Sequence, residues 1–589
     1  MDNARNMILA IVLSALVLIG WSFLSERFLP TASEPSTEIV DGEQVVLPNP
    51  EADPAADSPR AMRALAEVLA ESRETRVAIE TPRLQGSINL TGARIDDLVL
   101  VDYRETIAAD APPVRLFSPE GAERSYYAHF GWTGDGVAAP GGDTVWTARG
   151  NRLAPGAPVT LSWRNGAGQL FELIFAVDEN YLFTVSQHVS NASGGAIAVR
   201  PYALISRMGT SPDPDSWTIH TGPIGFWDGD DRRIDFDDLA AGAPDQRFSV
   251  DDGWLGFTDL YWLAALVPPA GQSTEAGFTA LGGDRYQAAY AGDPVIVRSG
   301  RRITTEARLF AGAKETNLLE AYDAEQGVNQ IDLAVDWGWF YWFELPIFYL
   351  LHWLFLTIGN FGVAIVVLTI IVRGLMFPIA QKQFSSMAGM RAVQPRMKEI
   401  QERHKEDKPK MQQEILALYQ REKVNPLAGC VPIFLQIPIF YALYKVLLIS
   451  VEMRHQPFAL WIRDLSAPDP LTPVNLFGYL PFTPPSILAI GVLPILLGVT
   501  MWLQMRLNPQ MPDPIQRQIF ALMPWVLMFA MATFAAGLQL YWVTNNILTI
   551  AQQKWLYMRN PAMKEPLPAP PPPPAPPEPA ARKKRPRAK

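Results

Sequence analysis

Arg373 closes the run Phe361-Gly362-Val363-Ala364-Ile365-Val366-Val367-Leu368-Thr369-Ile370-Ile371-Val372, the most lipid-like stretch of the chain. A guanidinium in hydrocarbon costs roughly a few kcal/mol or more unless it finds water or a partner. Two destinations are open to it. It can snorkel to the near interface, since Pro378 ends the span about one turn later, or it can face a water-filled cavity open to the inside. Thr369, one turn away, would share its face and extend a polar stripe. No acidic residue lies deep in an apolar run to neutralise it, which argues against a buried ion pair and for water. Other apolar runs carry polar groups too: Gln436 within Val431 to Pro438, and Gln539, Trp542 and Asn546 at helical spacing in the last run, with Thr544 and Asn545 beside them. Such groups serve either as glue between helices or as the lining of a path.

Covalent chemistry is not legible. There is no HExxH, no phosphate-binding GxxxxGK[ST], no GxSxG elbow and no dinucleotide fingerprint. His129, His188, His220, His352, His404 and His455 show no ligand spacing, and the single cysteine, Cys430, lies in an apolar run and reads as a small hydrophobe. No cofactor, no metal and no catalytic residue is expected. Net charge is −10, yet Lys and Arg crowd into short segments beside the apolar runs. The acidity therefore sits in the soluble part, which argues against DNA as a partner.

The elements that would position these residues follow from hydropathy. Residues 1–28 read as an N-terminal transmembrane anchor, a cleaved signal peptide being the alternative, and 29–76 as a flexible acidic, Pro-rich linker. Residues 77–330 show short alternating strands between turn residues. Examples are Arg94 to Leu100, Leu170 to Phe175, Leu182 to Val189 and Tyr261 to Val267, which together predict a large antiparallel sandwich. The aromatic cluster Trp337-Gly338-Trp339-Phe340-Tyr341-Trp342-Phe343 suits a headgroup layer, so 331–347 is read as an interfacial helix. Further spans are placed at 348–380, 427–450, 487–505, 518–535 and 537–556, each near the roughly 20 residues that cross a bilayer.

Charge sets the orientation. The segment 381–426 carries ten Lys and Arg residues from Lys382 to Lys423, the loop 506–517 carries Arg506 and Arg517, and the tail 557–589 is Pro-rich and ends Arg582-Lys583-Lys584-Arg585-Pro586-Arg587-Ala588-Lys589. The loop 451–486 has only Arg454 and Arg463. By the positive-inside rule, six spans put both termini and the basic loops in the cytoplasm and the β-rich part outside. The 381–426 segment reads as a helical hairpin. Its apolar stripe includes Met387, Met390 and Met397 and forms either the seam between the two arms or, methionine being adaptable, a contact for varied apolar clients. The basic tail suits anionic lipid, ribosomal RNA or plain solvation.

Several stretches resemble the bacterial YidC branch of the YidC/Oxa/Alb family. Leu368 to Ile400, LTIIVRGLMFPIAQKQFSSMAGMRAVQPRMKEI, is similar to the family's first core span with its Arg and the hairpin that follows. NPLAGCVPIFLQIP (Asn425 to Pro438), GLQLYWVTNN (Gly537 to Asn546) and GWLGFTDLYW (Gly253 to Trp262) look like family segments as well. The resemblance covers nearly the whole chain. It implies a polytopic α-helical membrane protein of six spans, with a five-span insertase core around a hydrophilic groove open to the cytoplasm and to lipid. It further implies a large periplasmic all-β supersandwich domain and a cytoplasmic helical hairpin. The implied activity is insertion and folding of inner-membrane proteins, alone or with the Sec translocon. The implied partners are nascent inner-membrane proteins, the translocon, membrane lipids and, through the basic segments, the ribosome. Arg373 would be the groove charge with Thr369 beside it, and Gln436, Gln539, Trp542 and Asn546 its neighbours; Trp542 stands where the family pattern has Tyr. Two other classes predict different features: a transporter needs paired ionisable groups along a continuous path, and an anchored enzyme needs a site in the outer domain.

Overall fold

Strict alternation builds the β-region. In the strand Gln169–Val177 every second side chain, from Gln169 to Val177, is buried, and those between are half-exposed. It turns through Asp178, whose carboxylate accepts from the amides of Asn180 and Leu182, into the antiparallel strand Leu182–Asn191. That strand pairs in turn with Arg301–Ala313. The structure is a computed structural model. It describes residues 63–559 other than 135, 214–217, 243–246, 423–430, 481, 483–484, 486–488 and 508–513, and leaves out side chains at 383–392, 394, 431–433, 435, 514–516 and 557. The anchor, most of the acidic linker, Cys430 and nearly all of the Pro-rich basic tail lie outside the described residues.

Among the described residues twenty strands form two sheets, of eleven and nine strands, antiparallel except where Arg76–Glu80 runs parallel to Arg152–Leu153. The sheets meet face to face. Phe130 of one contacts Phe175 of the other edge-on at 6.4 Å, and Tyr126 meets Phe257 in the same way at 6.3 Å. A Phe buried so completely contributes roughly 1.5–3 kcal/mol. The expected two-sheet sandwich is present.

The described α-helices are α1 Leu65–Glu71, α2 Phe236–Ala240, α3 Thr316–Gln326, α4 Tyr341–Ile358, α5 Phe361–Leu375, α6 Phe377–Arg403, α7 Lys408–Arg421, α8 Val431–Ile449, α9 Val492–Leu507, α10 Pro514–Met531 and α11 Ala536–Arg559. One boundary differs from the sequence reading. A break was expected between 347 and 348, but α4 runs on to Ile358, and the break falls at Gly359-Asn360. Gly359 adopts the left-handed conformation (φ 77°) and donates its N–H to Phe355 O at 2.7 Å, and the Asn360 side chain accepts from Val363 N at 3.0 Å. Glycine after a helix and asparagine before one are the residues those positions favour. The Asn360 amide also donates to Phe458 O at 2.9 Å. A Cβ on Gly362 would lie 2.1 Å from the Phe458 ring, so α5 can start here only with glycine at that place.

The helices α6 and α7 pack on each other through Val393, Met397 and Leu418, and Arg396 pairs with Glu422 at 2.5 Å. The β-region and the helices share one continuous apolar core, and polar contacts also join them. Lys445 of α8 donates to the main-chain oxygens of Thr218 and Asp336. Thr316 N, at the start of α3, donates to Glu452 Oε1 at 3.2 Å. Arg454 donates to Arg104 O at 2.6 Å and stacks on Trp262. Along α4, Tyr349 donates to Glu320, and His352 lies 3.3 Å from the Asn317 amide.

Candidate functional site

The site is built where α5, α8 and α11 meet. On α11, Tyr541, Asn545 and Thr549 recur every four residues, so they share one face, and all three are buried. Arg373, half-buried near the end of α5, donates from Nε to Asn545 Oδ1 at 2.6 Å. From α8 the half-buried Gln436 donates to the Tyr541 hydroxyl at 2.6 Å. Thr549 donates back to Asn545 O at 2.6 Å, holding the residue that holds the arginine. Trp542, one residue round the helix, is half-buried and meets Phe440 edge-on at 4.7 Å. Among the described residues no carboxylate pairs with Arg373. Its one partner among them is a neutral amide, so within the described residues the positive charge is left uncompensated.

The remaining expected site residues do other work. Thr369 is fully buried and donates to Ile365 O at 2.6 Å, so its hydroxyl is satisfied within α5 rather than extending a polar stripe. Gln539 is fully buried and donates to Met531 O and Phe534 O, both at 2.8 Å, closing the turn between α10 and α11. Asn546 is buried and donates to Thr500 of α9 at 3.1 Å, a bond between helices. Met397 sits in the seam between α6 and α7, where the Tyr419 hydroxyl reaches its sulfur at 3.1 Å, and so is covered. Met387 and Met390 lie on α6, and their side chains fall outside the described residues.

Sequence reasoning missed Tyr541, and it named Asn545 only as a neighbour. The four-residue spacing of Tyr541, Asn545 and Thr549 was a signal for both. It also missed Lys445, which a scan for charge in apolar runs would have found. Its counter-ion, Asp336, lies 3.7 Å away and also binds Arg233 and the amide of His220. Burial alone would push the Asp336 carboxyl up; Arg233, Lys445 and that amide together hold it below the usual carboxylate range. Deeper in the β-region, burial drives the Lys314 ammonium down to about 8, although Asp336 and Asp259 oppose the shift.

Comparison with known proteins decides what such an assembly is. The family described as 60Kd inner membrane protein matches residues 353–564, and that described as YidC periplasmic domain matches residues 76–350. The membrane protein insertase YidC of Zymomonas mobilis subsp. mobilis is 44% identical over 564 residues, covering 95% of this chain and 96% of that protein. The chain belongs to the YidC family of membrane protein insertases. The YidC proteins of Methylorubrum extorquens (44% identical, 95% of this chain and 96% of that one) and Dinoroseobacter shibae (43%, with the same shares) agree. Among solved structures, an active YidC insertase with its first transmembrane domain resolved aligns at TM-score 0.35 and 17% identity over 81% of this chain and 92% of that one, too low to locate residues. The two-sheet sandwich thus falls in the stretch that matches the YidC periplasmic domain, and the helices from α5 onward fall in the stretch that matches the inner membrane protein family.

Proposed function

We propose that this chain passes the polar tails of client membrane proteins through a wet groove open to the cytoplasm and to lipid, with Arg373 as its charge and Gln436, Tyr541 and Trp542 on its wall. The carrying observation is the neutral partner of Arg373. A guanidinium in an apolar bundle without a carboxylate is tolerable only if water reaches it. Its bond to Asn545 supports a head turned toward α11 rather than along the helix toward the headgroups. Acidic groups in a client tail are drawn to it, an attraction that low-dielectric walls strengthen. The groove shortens the apolar path over which unpaired backbone would cost several kcal/mol per group. Partition of the client's apolar segment into lipid, at roughly 25 cal/mol per Å², drives the rest. No nucleotide takes part.

The topology that goes with this reading has six spans: the N-terminal anchor, α5, α8, α9, α10 and α11. Both termini and the α6–α7 pair face the cytoplasm, following the basic residues. The helix α4 is long and apolar enough to cross a membrane. Tyr349 and His352, however, still touch the periplasmic domain roughly 12–16 Å along it, which supports a helix lying on the outer surface. The core span then begins at α5, not at 348. The chain works alone or with the Sec translocon, and the basic tail meets ribosome or anionic lipid.

The test compares Arg373→Ala with Arg373→Lys in a depletion strain, reading insertion of a client whose translocated tail is acidic. The expected result is loss with Ala and substantial retention with Lys. Wild-type insertion by the Ala variant overturns the attraction.

A further inference from the structure

We propose that Asn545 is a positioning residue for insertion: it grips the guanidinium of Arg373 by Nε and so aims both terminal nitrogens, their charge intact, at a client carboxylate. This deepens the groove reading above and rests on it.

The argument starts from the shape of the group. A guanidinium is a rigid plane with five N–H donors, and its two ends match the two oxygens of a carboxylate. Fixing Nε fixes the plane. The 2.6 Å bond to Asn545 Oδ1 is the only hydrogen bond of Arg373 among the described residues, so Nη1 and Nη2 keep their donors for a ligand. Asn545 is itself held. It is buried on α11, and its carbonyl is tied by Thr549 one turn on. The neighbouring position on the same face, Tyr541, is engaged by Gln436 from α8. An unanchored arginine would sample many rotamers and lose that freedom each time a tail arrived, at a cost of roughly 0.5–1.5 kcal/mol per side chain immobilised. An aspartate at 545 would anchor it equally well but would neutralise it. An amide oxygen supplies the grip without the charge, and the ligand class that follows is a carboxylate bound end-on, at the two terminal nitrogens, by two parallel N–H···O bonds.

The experiment uses the full-length protein in proteoliposomes with two clients that differ only in whether the translocated tail carries Asp and Glu or their amides. Asn545→Asp is expected to lower insertion of the acidic tail about tenfold, the order of a lost charge-assisted contact, while the amide tail inserts as in wild type. Asn545→Leu, which frees the guanidinium without neutralising it, should give a smaller loss, again confined to the acidic tail. In an Arg373→Lys background, where no Nε exists to grip, Asn545→Leu should change nothing further. Thermal unfolding of each variant reports folding. Asn545→Asp inserting the acidic tail as well as wild type overturns the proposal. So does an equal loss on both tails, which marks a merely structural residue. If Arg373→Ala also inserts the acidic tail normally, the groove reading itself has failed; if Arg373→Ala is defective while Asn545→Asp is not, only the role of Asn545 falls.

Discussion

The ammonium of Lys445 donates to the main-chain oxygen of Asp336 at 2.7 Å and lies 3.7 Å from the carboxylate of the same residue. A second carbonyl, that of Thr218, accepts from it too. The lysine belongs to the largely apolar helix α8 and all three partner atoms to the stretch that matches the periplasmic domain, so this side chain ties α8 to that domain. Without the lysine, Asp336 keeps Arg233 and the amide of His220 but loses its second counter-ion. Lys445→Met is expected to destabilise the protein by about 1–3 kcal/mol, chiefly because two buried carbonyls lose a donor. Thermal unfolding of purified protein in detergent measures it. A shift within the error of wild type would show that the tie contributes nothing.

Glu452 gives a pH dependence. It follows α8 beside the start of α3; its Oε1 accepts from Thr316 N, and its Oε2 is buried without a partner among the described residues. Burial, with Glu315 nearby adding to it, pushes this carboxyl up to about 7 from its ordinary 4.5. The folded state thus binds a proton that the unfolded state has released. Stability from this group is fully present below about pH 4.5 and is lost as pH rises to 7. Glu452→Gln should flatten the fall in melting temperature between those values and leave the variant the more stable protein at pH 8. An unchanged slope would exclude Glu452 as its source.

Gln539 closes the α10–α11 turn by donating to the carbonyls of Met531, which also accepts from Phe534 N, and of Phe534. Gln539→Leu should cost about 1–3 kcal/mol in thermal unfolding, the range for stranding buried polar groups. Photocrosslinking of clients from position 542 should be unchanged in the fraction that remains folded. Loss of client contact without loss of stability would return Gln539 to the groove wall.

Trp542 meets Phe440 edge-on. Trp542→Tyr keeps a ring and should insert clients nearly as wild type, while Trp542→Ala removes the pair, worth about 0.5–1.5 kcal/mol, and should reduce both stability and crosslinking to an apolar client segment. Equal insertion by the Tyr and Ala variants would mean that the ring is not on the client's path.

The β-region was readable in the sequence because alternation is local: the strand Gln169–Val177 declares its buried face in nine residues. Arg373 was readable because charge in a lipid-like run is costly wherever it occurs. What escaped is the choice of partner, local in some cases and distant in others. Nothing near Thr369 or Gln539 in sequence says that each satisfies itself within its own helix or turn, whereas Asn546 reaches a hydroxyl 46 residues away. Lys445 needs Asp336, 109 residues earlier, before its burial makes sense. The misplaced break at 347 has another cause. The aromatic cluster marks membrane depth and not a helix end; the residue types that end the helix are Gly359 and Asn360.

Two residues, Gly359 and Asn360, separate α4 from α5, and neither is slack. The glycine caps one helix, the asparagine caps the next and also holds Phe458 O, and Phe355 stacks on Phe361 across the corner at 3.9 Å. The periplasmic domain grips α4, and α4 continues through this stiff elbow into the helix that bears Arg373. The three therefore act as a lever arm. A load that tilts the domain is delivered, through the thirteen residues of α5 from Phe361 to Arg373, to the charge at the end of that helix.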